Sequence, residues 1–112
     1  MQVQAISNSQ TSFNGVINVS ENLAPKMKSF INKKIEGIDI SKKPYDLFIK
    51  NTDDNRFLSI VAQSTEDCDK KYTVLIHKYM QKEQLIEQSI HDAMKNFQKL
   101  SSMPKKNFEK VI

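Results

Sequence analysis

Residues 45–79 read YDLFIKNTDDNRFLSIVAQSTEDCDKKYTVLIHKY, and the fold turns on how this stretch divides. Apolar and polar residues alternate over 45–50, and two further β-prone runs follow at 56–63 and 71–79. A period of two marks a strand with one buried face. NTDDN, at 51–55, has turn composition, because Asn and Asp bond their own backbone and tolerate left-handed geometry. The polar stretch 64–70 supplies the second connection, so the spacing predicts an antiparallel meander of three strands. Side-chain alternation assigns Tyr45, Leu47, Ile49, Leu58, Ile60, Ala62, Tyr72, Val74 and Ile76 to the core face. Phe48, Phe57, Val61, Thr73, Leu75 and His77 fall on the opposite face.

Outward from the meander the period changes. Before it, Leu23, Met27, Phe30, Ile31 and Ile35 recur at helical spacing. Ser20 or Asn22 is expected to cap this helix, with Pro25 tolerated in its first turn. Gly37 stands where a left-handed C-cap belongs, with Ile38 as its apolar contact. A short strand, FNGVINV at 13–19, precedes the helix. After the meander, Ile86, Ile90, Ala93, Met94, Phe97 and Leu100 form the apolar stripe of a helix over about 81–101, which Pro104 ends. The predicted fold is α+β: a two-layer sandwich of order β-α-β-β-β-α, mainly antiparallel, with both helices on one sheet face. Residues 1–12 are expected to be a flexible tail, 13–103 the single domain, and 104–112 a basic and apolar C-terminal tail.

The chain has 112 residues, enough for one hydrophobic core. It is 38% hydrophobic and 27% charged, which is the composition of a soluble globular domain. No apolar run is long enough for a membrane span, and no secretory leader is visible. One cysteine cannot form an internal disulfide, so a cytoplasmic, reducing location is expected. The net charge of +4 is carried almost wholly by lysine, since Arg56 is the only arginine. Bidentate reading of base edges favours arginine, so a sequence-specific nucleic-acid reader is not expected.

Chemistry-bearing motifs are scarce. Cys68, His77 and His91 are scattered and lack zinc-ligand spacing. The acids around Cys68 and at Asp53–Asp54 have no glycine to shape a calcium loop. Glu66, Asp67 and Asp69 oppose the lysines that would acidify the thiol, so Cys68 reads as an incidental residue of a polar hairpin connection. The chain's two glycines, Gly15 and Gly37, cannot form a phosphate cradle. No catalytic residue, metal site or cofactor is expected; His77 is the single candidate for an unrecognised enzymatic site.

The second sheet face is too apolar for open solvent at Phe48, Phe57, Val61 and Leu75, with His77 beside them. The C-terminal tail, a second copy of the chain, a protein partner, or bases stacked on the phenylalanines would cover it.

The stretch INVSENLAPKMKSFINKKIEGID, residues 17–39, and IHDAMKNFQKL followed by KK resemble the ribosome hibernation-promoting factor domain over residues 13 to about 106. That resemblance implies a non-catalytic domain binding the small ribosomal subunit. It also implies that Lys26, Lys33, Lys34, Lys95, Lys99, Lys105 and Lys106 contact phosphates. The leading expectation is therefore a binding domain for RNA or the ribosome surface. The alternative is a protein-interaction or homodimerisation domain that uses the open sheet face.

Overall fold

The computed structural model describes residues 15–67, 69–104 and 107–112. The expected tail at 1–12, the start of the first strand at 13–14, Cys68, Lys105 and Lys106 lie outside the described residues.

The chain lays down β1 (Ile17–Val19), α1 (Pro25–Ile35), β2 (Tyr45–Asn51), β3 (Phe57–Ser64), β4 (Lys71–His77), α2 (Glu83–Ser101) and β5 (Asn107–Val111). A single 3-10 turn, Lys78–Met80, stands between β4 and α2. The five strands form one sheet in sequence order. β2, β3 and β4 make the expected antiparallel meander, with Phe48 opposite Val61 and Val61 opposite Thr73. The two edge strands pair parallel, β1 on β2 and β5 on β4. The sheet is therefore mixed rather than mainly antiparallel, and the order is β-α-β-β-β-α-β. Each helix is the crossover of a parallel pair, because a parallel neighbour is reached only by returning across a sheet face.

The nine residues assigned to the core face are all buried. They form one cluster with Leu23 and Ile31 from the α1 side and with Ile86, Ile90, Ala93, Phe97 and Leu100 of α2. Both helices thus cover the same face. Burying side chains of this size stabilises the fold by about 1.5–3 kcal/mol each, which makes this layer the main source of stability.

Several local expectations need correction. Residues 104–112 are not simply a tail, since Asn107–Val111 form β5. All five β5 residues are exposed, and an edge strand of that kind has little hydrophobic alternation to reveal it. Neither Ser20 nor Asn22 caps α1. The N-cap is Ala24 with no side-chain bond, and Pro25 opens the helix. Asn22 is engaged elsewhere: its Oδ1 accepts from the Asn51 backbone N–H at 3.2 Å and its Nδ2 donates to the Asn51 carbonyl at 3.2 Å. Asn51 Nδ2 returns a bond to the Asn22 carbonyl at 3.0 Å. This reciprocal clamp ties the chain after β1 to the end of β2. No glycine has positive φ among the described residues, so Gly37 is not a left-handed cap; the Ile38 N–H closes the helix end on the Ile35 carbonyl at 2.9 Å. The third strand stops at His77, and Tyr79 belongs to the 3-10 turn.

Candidate binding surfaces

The face of the sheet away from the helices is built by the pleat. Register places Asn18, Phe48, Val61, Thr73 and Glu109 in one row across all five strands. Lys50, Ser59, Leu75 and Val111 form the next row. Phe48, Phe57, Val61, Leu75 and His77 are half-buried. Among the described residues neither helix lies on this side, and Tyr79 of the 3-10 turn stacks on His77. Residues 107–112 do not fold over this face. β5 widens it instead, adding Asn107, Glu109 and Val111 at its margin. A shallow trough of about 630 Å³ runs between Phe48, Lys50, Val61, Lys71, Thr73 and Leu75.

At the end of β4 the aromatic rings touch in series. The Phe57 ring meets His77 edge-on at 5.4 Å between centroids, and His77 stacks on Tyr79 at 5.0 Å and 25°. His77 Nδ1 accepts the Tyr79 backbone N–H at 3.3 Å, which fixes the imidazole beneath the tyrosine. Tyr79 is 79% exposed, and Lys78 Nζ stands 5.7 Å from its ring centre. Sequence reasoning counted Tyr79 as a strand residue and gave it no role. The signal that would have found it is HKYM, an aromatic and two polar residues where the strand alternation breaks.

Of the lysines that the sequence singled out, Lys26, Lys33, Lys34, Lys95 and Lys99 lie on the two helices, which treat them differently, and Lys105 and Lys106 lie outside the described residues. Lys26 and Lys33 flank a groove of about 450 Å³ between the helices, with Met27, Phe30, Glu83 and Ile86. Lys34 is engaged by Glu87 at 3.7 Å and lies over the Phe30 ring at 5.6 Å. Lys95 and Lys99 are exposed on α2, on the side away from its buried Ile90, Ala93 and Phe97. These lysines are therefore spread over two helices and not gathered at one point. Lys70 has a role the sequence reading did not assign. Its Nζ donates to the carbonyls of Ser101 and Met103, both at 3.0 Å, and so caps the C-terminus of α2. The connection around it is a bonded turn: Ser64 Oγ accepts the N–H groups of Glu66 and Asp67 at 3.2 and 3.1 Å.

Among the described residues no group of three or more His, Cys, Asp or Glu side chains could hold a metal ion. Nor is any helix long and apolar enough to cross a membrane. His77 has aromatic neighbours on both sides and a backbone donor at Nδ1, with no acid or nucleophile among these contacts. Burial pushes the Tyr45 hydroxyl above the usual tyrosine range, and burial with the nearby Asp92 does the same to Tyr72. Both lie on the core side and line neither surface. Comparison with known proteins finds no family model, no curated protein and no solved structure that matches the chain.

Proposed function

We propose that this domain is a non-catalytic RNA-binding module that docks on ribosomal or other structured RNA through the lysines of its helix layer. The observation that carries this reading is that Lys26, Lys33, Lys95 and Lys99 are exposed on α1 and α2 with no ion pair among the described residues. Lysines free of acidic partners release counterions when they meet phosphate, and that term dominates sequence-independent affinity for nucleic acid.

Sedimentation of the protein with ribosomes at low and high salt tests the reading. Co-sedimentation should fall steeply as salt rises. Lys95→Glu with Lys99→Glu should weaken it about tenfold or more, since each phosphate contact contributes to the salt slope. Binding that ignores both salt and these two charge reversals removes the proposal.

A further inference from the structure

The sheet face away from the helices carries one exposed ring, half-buried aromatics, hydrogen-bonding side chains and lysines together. We propose that it binds a single-stranded segment of RNA, with one base stacked on Tyr79 and neighbouring phosphates held by Lys50, Lys71 and Lys78. This rests on RNA being the ligand of the domain, and it assigns to that ligand a second contact surface on the layer opposite the helices.

Three observations carry it. Tyr79 stacks on His77, which Phe57 in turn meets edge-on, and Tyr79 remains 79% exposed with Lys78 Nζ 5.7 Å from its ring centre. A supported, exposed ring is what an unstacked base needs, because stacking requires no particular base and little reorganisation. Second, Lys50 and Lys71 line the trough beside Phe48, and Lys78 stands over Tyr79. Cations therefore flank both places where a base can lie flat. Third, Gln63, Thr73 and Asn107 lie among the apolar residues of the trough. Their hydrogen-bonding groups suit base edges and ribose hydroxyls better than the dry contact between two apolar sheets. Duplex RNA does not fit this use, since its bases are already stacked on each other.

Fluorescence anisotropy with a labelled single-stranded oligoribonucleotide, against a duplex of the same length, is the test. The single strand should bind more tightly than the duplex. Tyr79→Ala should weaken it about five- to a hundred-fold and Tyr79→Phe should restore it, in keeping with the usual cost of losing one base stack. Tyr79 is exposed, so its replacement leaves the core intact, and circular dichroism checks this. Lys50→Glu with Lys71→Glu provides a second variant and should reduce the salt slope. Single-strand affinity unchanged in both variants overturns the proposal. So does a stable dimer in sedimentation that Phe57→Asp dissociates, because a second copy would then cover the face. Loss of ribosome binding in the Lys95 and Lys99 variant, with Tyr79→Ala silent on single strands, leaves the helix-layer reading standing and removes this one. The reverse pattern removes only the helix-layer reading.

Discussion

Gly15 and Gly37 are the two glycines of the chain, and they sit in opposite situations. Gly15 is buried, and a β-carbon there would collide with the carbonyl oxygens of Ile40 and Tyr45. Those are backbone atoms that cannot rotate away. Gly37 has open space where its β-carbon would be and no unusual φ. Gly15→Ala should therefore cost about 2 kcal/mol or more, as overpacking does. Gly37→Ala should be neutral or stabilise by up to about 1 kcal/mol, by restricting the unfolded chain. Urea denaturation of the two variants checks both signs. Position along the chain makes Gly37 look like the structurally demanding glycine, at the end of a helical pattern. What decides the matter is the approach of another segment, which a local reading of the residues does not contain.

At the scale of elements, the meander was legible in the sequence because its three strands each have one wet and one dry face. The same alternation identified Phe48, Phe57, Val61, Leu75 and His77 as facing away from the core, although not what they bind. Helix α2 was legible because its stripe is continuous from Ile86 to Leu100. β5 was not, since Phe108 and Val111 are exposed and the strand owes its place to pairing with β4. Phe108 stacks on Tyr72 at 5.1 Å, and Lys110 reaches Asp92 at 3.4 Å, both contacts across sequence distances that no local pattern reports. The Lys70 cap is hidden for the same reason. Removing it with Lys70→Ala leaves the carbonyls of Ser101 and Met103 without their charged donor. The last turn of α2 should fray, with amide exchange faster there than at Ile90 and a stability loss of about 1 kcal/mol. Protection of the last turn unchanged from the parent protein would show that the cap contributes nothing.

For the whole molecule, two tyrosines on the core side link stability to pH. Tyr45 and Tyr72 are both raised above the ordinary tyrosine value of 10.0, chiefly by burial. Above that value the unfolded chain gives up phenolic protons that the folded chain retains. Stability is then intact below about pH 10 and declines as pH rises further. Replacing both residues with phenylalanine should flatten the decline above about pH 10, as read by chemical denaturation. Tyr45→Phe should also tend to stabilise at neutral pH, because the Tyr45 hydroxyl is buried with no hydrogen-bond partner among the described residues.

The five strands lie across the sheet in the order in which the chain makes them. Every pairing thus joins neighbours in the sequence, and no strand has to be inserted between two that have already met. The meander needs only two short turns to form, and each edge strand then joins after its own helix has returned it. Assembly of this kind closes small loops first and leaves little room for strands to pair in the wrong order. The chain should accordingly reach its native sheet faster than a domain of equal size whose neighbouring strands are distant in sequence.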